Sequence, residues 1–309
     1  MDRHATAFAP ATVANLGAGY DILGLAVDGP GDEVSVQLTS RHDDVNIVEI
    51  VGDDGRLPRS AEQNAIGIAA RQTLALAGVH CGVELTLKKG LGIGTGLGSS
   101  AASAAAAAYA VNLALGKPLR KLELVGPCLD AEALVSGRHA DNVAPALLGG
   151  LVLVKTLDPL TVIRLPIPNG LALALVTPQF EVETKGARAI VPSTVELSSA
   201  VAQSADLGAF VAACYSSDLE LLGRCIRDRF AAPPRLRGIP GAESAIVEAY
   251  AAGALGASLS GSGPTVFAVC RSERIAEVCA SRMGDAFQAA GLASVHRLSR
   301  MDCPGVRAV

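Results

Sequence analysis

A chain of 309 residues, half of them hydrophobic and 18% charged, has ample apolar material for two cores, which excludes a disordered protein. A net charge of −4 without a Lys/Arg stripe excludes nucleic acid as a partner, because phosphate backbones demand a positive footprint. Seven Cys without a C-x-x-C pair read as reduced thiols acting as small apolar side chains, and the absence of an apolar leader or a long apolar run predicts a cytoplasmic protein with no membrane partner.

The predicted elements follow in chain order. Residues 34–38 and 83–87 alternate as strands do, and between them 64–76 spaces its apolar residues as a helix, with Gly78 placed to end it. A Gly-rich segment, 90–98, runs into an Ala-rich helix that Ser99 or Ser100 is expected to cap and that Gly116 and Pro118 terminate. A helix over 119–135, a turn at Ser136-Gly137-Arg138-His139 and a strand over 151–154 follow. Asp158-Pro159 interrupts the pattern and is read as the domain boundary, giving domains 1–157 and 158–309. Beyond it come a strand (171–176), helices (187–202 and 208–227), a Pro-rich loop (Pro233, Pro234, Pro240), a helix (242–252), a strand (265–269), a helix (273–290) and a last strand. This mixture reads as α+β.

The segment Gly92-Ile93-Gly94-Thr95-Gly96-Leu97-Gly98-Ser99-Ser100-Ala101-Ala102 carries the chemistry. Glycines at close spacing let main-chain amides converge on an anion, and the following helix offers unpaired N–H groups and a positive dipole end. It is not a P-loop, since no Lys precedes Ser99, and no strand-end acid follows at the distance a dinucleotide site requires.

With Pro10 to Asn15 before it and Leu259-Ser260-Gly261-Ser262-Gly263-Pro264-Thr265 after it, this loop resembles the three motifs of the GHMP kinases, in their order. Three further strings are similar to those of homoserine kinases within that group. They are Tyr20-Asp21-Ile22-Leu23-Gly24, His139-Ala140-Asp141-Asn142-Val143-Ala144-Pro145, and Thr184-Lys185-Gly186-Ala187-Arg188 with its continuation to Pro192. The resemblance implies a two-domain fold, with an N-terminal ribosomal-protein-S5-domain-2-like domain and a C-terminal ferredoxin-like α/β sandwich. It implies ATP and Mg²⁺ as cofactors, L-homoserine as substrate and a homodimer.

The resemblance also implies roles. ATP would lie on residues 92 to 102 of the loop, with Asn64 at the adenine. Asp21 and Asn15 would take the substrate ammonium, Arg188 and Arg235 its carboxylate, and His139 would line the acceptor pocket. Asn142, Thr184 and Arg188 would act at the transferred group, and Ser100 and Glu132 would hold Mg²⁺, with Asp130 as the alternative ligand. An amide at Asn142, where some relatives carry an Asp, implies transfer without a strong protein base. Gly92 departs from the Pro usual at its position. Competing readings are another GHMP kinase acting on mevalonate, a sugar or shikimate, a silent ligand sensor on the same scaffold, and a nicotinamide enzyme.

Overall fold

The computed structural model describes residues 4–40, 44–135 and 137–309. Among these, two sheets organise the chain. The larger contains β1 (His4–Ala14), β2 (Leu23–Thr39), β3 (Val45–Val51), β4 (Gly82–Lys88), β5 (Leu151–Leu157), β6 (Leu160–Leu165) and β11 (Arg307–Ala308), in the order β11-β1-β2-β4-β3, with β5 beside the start of β2 and β6 beside β5. Asp158 and Pro159 form the tip of the β5–β6 hairpin. The β3–β4 pair is parallel, and α1 (Ala65–Leu76) supplies the crossover that a parallel pair requires. The smaller sheet, all antiparallel, runs β10 (Ser294–Arg300), β7 (Ala172–Pro178), β9 (Val266–Cys270), β8 (Gly256–Leu259).

The Ala-rich segment is α2 (Ser99–Ala114), which packs between β1, β2, α1, α3 (Val125–Val135) and α4 (Val143–Leu148). Its side chains from Ala101 to Ala108 are buried all round apart from a sliver of Ser103. A helix buried on every face needs small side chains to let its neighbours close in, and that explains its composition. On the smaller sheet, α9 (Ala242–Ala251) and α10 (Glu273–Ala289) cover one face. In α10 the buried residues Ala276, Cys279, Ala280, Met283 and Phe287 recur at the three- and four-residue steps of an amphipathic helix.

Several expectations are corrected. Neither Ser99 nor Ser100 caps α2; Gly98 holds that position at φ 65°. The helix expected over 119–135 begins at Val125, because Pro127 is accepted only in a first turn. Helices expected over 187–202 and 208–227 are instead α5 (Thr184–Ala189), α6 (Leu197–Ser216) and α7 (Leu219–Arg224). Pro192 separates the first two, and α6 runs unbroken through the expected gap at 203–207, where Gln203 Oε1 accepts a hydrogen bond from the Arg229 amide. Pro233 and Pro234 open α8 (Ala232–Leu236) rather than a loop. Ser136, part of the expected turn, lies outside the described residues.

Among the described helices, α6 alone has the length and apolarity of a membrane span. It also carries Asp206, paired with Arg229 at 2.8 Å, and packs on α7.

Candidate active site

A cleft of about 460 Å³ opens where the N-terminus of α2 meets loop 15–21, segment 181–188 and the turn after β8. The Gly-rich loop forms its floor. Gly94, Gly96 and Gly98 have φ of 71°, 76° and 65°, a region that costs other residues energy. A Cβ on Gly96 would stand 2.5 Å from the carbonyl oxygen of Gly263. The loop carbonyls are held from behind. Ser260 Oγ donates to Gly96 O at 2.6 Å, Thr265 Oγ1 to Thr95 O at 2.7 Å, and the Thr12 amide to Leu97 O at 3.1 Å. The amides of residues 92–98 donate to no backbone carbonyl among the described residues. Carbonyls tied down and amides left over, at the positive end of a 16-residue helix, describe a cradle for an anion.

Ile93, Gly94, Thr95, Gly96, Gly98, Ser99 and Ser100 border the cleft. Gly92 sits on the exposed outer rim, and Leu97, Ala101 and Ala102 are buried beneath. Ser100 Oγ donates to Glu132 Oε2 at 3.0 Å, which brings α2 and α3 together at the cradle, and the Glu132 side chain is buried. Asp130 is not among the residues that border the cleft and pairs with Arg138 at 2.8 Å. Asn64 borders the cleft, but its amide is committed to local structure. Oδ1 caps α1 by accepting from the Ile66 amide at 3.1 Å, and Nδ2 donates to Pro58 O at 2.7 Å.

The opposite wall is built for charge. Asn15 and Asp21 both sit at positive φ, 72° and 60°, a conformation Asn and Asp tolerate better than most residues. The Asp21 amide donates to Asn15 Oδ1 at 3.1 Å, which closes the loop on itself. Gly17 in the same loop lies against the backbone of Ile226 and Arg227, where a Cβ would stand 2.5 Å from the Arg227 nitrogen. Arg188 grips Asp21 with both fork nitrogens, Nη1 to Oδ1 at 3.1 Å and Nη2 to Oδ2 at 2.5 Å. Thr184 and Arg188 lie one turn apart on α5, so both face the cleft.

Arg235 is buried and donates to Ala187 O at 3.1 Å and Gly261 O at 2.9 Å. Its helix, α8, is anchored by Asp228, whose carboxylate accepts from the amides of Phe230, Ala231 and Ala232. The guanidinium carbons of Arg188 and Arg235 each lie over the Tyr20 ring, 5.8 Å and 5.7 Å from its centre.

Asn142 accepts a hydrogen bond from Thr12 Oγ1 at 2.7 Å, beside Gly98. His139 Nδ1 lies 3.1 Å from Asp141 Oδ1. Burial works to lower the His139 pKa. The hydrogen bond and charge of Asp141, with Glu132 and Asp21 nearby, outweigh it and raise the value to about 9. At neutral pH His139 is therefore an imidazolium, which donates protons rather than accepting them.

A folded-state pKa above the unfolded value contributes stability that is complete below about 6.5 and lost as pH rises through about 9. Denaturant unfolding should accordingly show a loss of ~1–3 kcal/mol between pH 6.5 and 10, and His139→Gln should flatten that dependence. An unchanged slope in the variant would remove His139 as its source.

Sequence reading missed Asp32, Lys89, Thr12 and Asp141. Lys89 stands next to the Gly-rich segment in Leu87-Lys88-Lys89-Gly90, the only signal it offers; Thr12 and Asp141 lie inside strings that carry the resemblance, and Asp32 gains meaning only from folding.

Two family models match the chain: GHMP kinases N terminal domain over residues 64–150, and GHMP kinases C terminal over residues 210–289. The chain is 44% identical to the homoserine kinase of Arabidopsis thaliana, covering 98% of this chain and 84% of that one. It is 42% identical to the homoserine kinase of Chloroherpeton thalassium, covering 93% of each. The crystal structure of homoserine kinase from Cytophaga hutchinsonii superposes with a TM-score of 0.96 at 42% identity, over 100% of this chain and 98% of that one. The L. major mevalonate kinase structure, 14% identical, has a TM-score of 0.69 over 96% of each chain and shares the fold alone. A cleft with a phosphate-type cradle on one wall and opposed charges on the other, in a chain this close to those relatives along its length, belongs to the homoserine kinase family of the GHMP kinases.

Proposed function

We propose that the protein transfers the γ-phosphate of ATP to the side-chain hydroxyl of L-homoserine, giving O-phospho-L-homoserine and ADP, as a step of threonine biosynthesis. The observation that carries this reading is the shared cleft: the loop's unclaimed amides face the same space as the bidentate Asp21–Arg188 pair. A zwitterion answers that pair pole for pole. Its ammonium is placed at Asp21 and Asn15, its carboxylate at Arg188 and Arg235. The adenine is placed beside Asn64, which borders the cleft.

The hydroxyl oxygen forms a bond to the γ-phosphorus as the bond to the β-γ bridging oxygen breaks, and ADP departs. Positioning and charge stabilisation dominate such a loose transfer. Asn142 is an amide and His139 is charged, so neither removes the proton; it leaves late, to a phosphate oxygen or water. Thr184, Asn142 and Arg188 act at the transferred group by hydrogen bonding and charge.

Ser100 and Glu132 offer adjacent oxygen donors beside the cradle, a set that fits Mg²⁺ as a hard cation. Such an ion supplies charge neutralisation of the polyphosphate. Glu132→Gln is expected to raise the Mg²⁺ concentration for half-maximal rate about 10-fold or more, whereas Asp130→Asn leaves it unchanged. A titration of initial rate against Mg²⁺ checks both, and the reverse ranking would move the site to Asp130.

A cytoplasmic homodimer is the expected setting. The exposed apolar side chains Leu197, Val201 and Tyr215 on α6 support a face covered by a second subunit. The reaction itself is tested by coupled ADP release with ATP and Mg²⁺ against L-homoserine, D-homoserine, mevalonate and galactose. L-homoserine should be preferred by orders of magnitude. A preference for mevalonate or galactose would move the protein to another acceptor class, and binding of ATP without turnover on any of the four would make it a sensor.

A further inference from the structure

The Gly-rich loop has a restraint that the mechanism does not use. Asp32, on β2, is completely buried and its carboxylate is fully engaged. Oδ1 accepts from the amides of Gly90 at 3.0 Å and Leu91 at 3.2 Å, where the loop begins. Oδ2 accepts from Ser103 Oγ at 2.6 Å and from Lys89 Nζ. Lys89, itself 9% exposed, reaches across to Ser99 O at 3.2 Å, Ser99 Oγ at 2.7 Å and Ser103 Oγ at 3.1 Å, in the first turns of α2. One ion pair thus ties the residues that enter the loop to the helix that leaves it. Lys89, Ser99 and Ser103 also border the cleft.

Burying such a pair costs desolvation, and hydrophobic side chains in its place would serve stability as well. Its location explains its presence. A loop with Gly at 90, 92, 94, 96 and 98 must be ordered before its amides converge. The charges also have a defined arrangement: the anion lies deep and the cation lies between it and the cradle. Lys89 therefore screens Asp32 from whatever anion the loop holds.

We propose that Asp32 and Lys89 are a positioning pair for the nucleotide loop, with Asp32 fixing the loop's ends and Lys89 both bridging to α2 and cancelling a carboxylate that would otherwise repel the triphosphate. This rests on the reading of the loop as the ATP cradle.

The order of effects distinguishes this role from a merely structural one. Lys89→Met leaves Asp32 uncompensated beneath the phosphates and should raise the KM for ATP about 100-fold, whereas Asp32→Asn, which keeps an acceptor for the two amides, should raise it about 10-fold. The double variant should resemble Asp32→Asn rather than the product of the two, because the unscreened charge is gone. The KM for the acceptor should stay within about twofold throughout, since both side chains act on the nucleotide side. If Lys89→Met does not fold, Ser103→Ala removes one hydrogen bond to Asp32 and one from Lys89 and should still raise the KM for ATP several-fold.

Calorimetric titration of the wild-type protein with ADP and Mg²⁺ separates the two readings. No binding by the wild type overturns the cradle and this pair with it. Binding by the wild type and equally by all variants, or equal rises in both KM values, overturns the pair alone.

Discussion

Replacing Arg188 by Met should raise the KM for L-homoserine about 100-fold or more, the equivalent of roughly 3 kcal/mol for one lost charge-assisted pair. Arg188 and Asp21 satisfy each other through two hydrogen bonds. Each is partly exposed, so the pair is held by geometry more than by a dry interior. A zwitterionic acceptor replaces both halves at once. A molecule carrying one pole breaks the pair and leaves the other half alone.

3-Aminopropanol and 4-hydroxybutyrate should therefore be poor acceptors for the wild-type protein, each worse than its missing contact alone implies. In Arg188→Met, 3-aminopropanol should recover relative to homoserine, because Asp21 no longer has an internal partner to give up. Steady-state rates for the three acceptors with both proteins check this, and an unchanged ratio between them would show that the pair is not exchanged on binding. The Tyr20 ring offers its face to both cations, 5.8 Å from the Arg188 guanidinium carbon and 5.7 Å from that of Arg235.

The second large effect is expected at Gly98. Gly98→Ala should lower kcat/KM about 1,000-fold, a loss typical of a displaced catalytic constellation. The residue holds φ 65°, caps α2 and has no space beside it: a Cβ would stand 2.0 Å from Thr12 Oγ1 and 2.8 Å from Asn142 Oδ1. The added methyl must break the Thr12–Asn142 hydrogen bond or tilt the first turn of α2, and either moves the amides that form the cradle.

Gly126, within α3, is the control, since a Cβ there meets nothing within 4 Å. Gly126→Ala should leave the kinetics unchanged. Kinetics and thermal unfolding of the two variants separate the site from the scaffold. Equal activity for Gly98→Ala and wild type would remove the loop from the reaction.

Much of this architecture is legible in the sequence where local chemistry is decisive. Asn64 and Gly78 bracket α1 as a cap and a terminator should, and the period of α10 is clear from its apolar spacing. The Gly-rich segment announces a strand-to-helix turn made for an anion, and the structure supplies that turn between β4 and α2. Sequence reading fails where packing overrides local pattern. Helices expected over 187–202 and 208–227 leave a gap from 203, yet α6 runs through it from Leu197 to Ser216, with Gln203 Oε1 accepting from the Arg229 amide. Ser99 and Ser100 suggest a cap, yet their hydroxyls are drawn to Lys89 and Glu132. Asp32 is one acid in a strand until folding places it under the loop, so no spacing rule finds it.

The loop's carbonyls are fastened by residues very distant along the polypeptide: Ser260 lies 164 positions from Gly96, and Thr265 lies 170 from Thr95. Contacts that remote close late in folding, after the local helices have formed. A polypeptide still emerging from the ribosome can build α2 early but lacks the buttress that turns its leading amides into a nucleotide seat. On the proposed reading of the loop, ATP stabilises only a molecule whose buttress is complete, and ligand-induced protection should appear once Thr265 has left the ribosome.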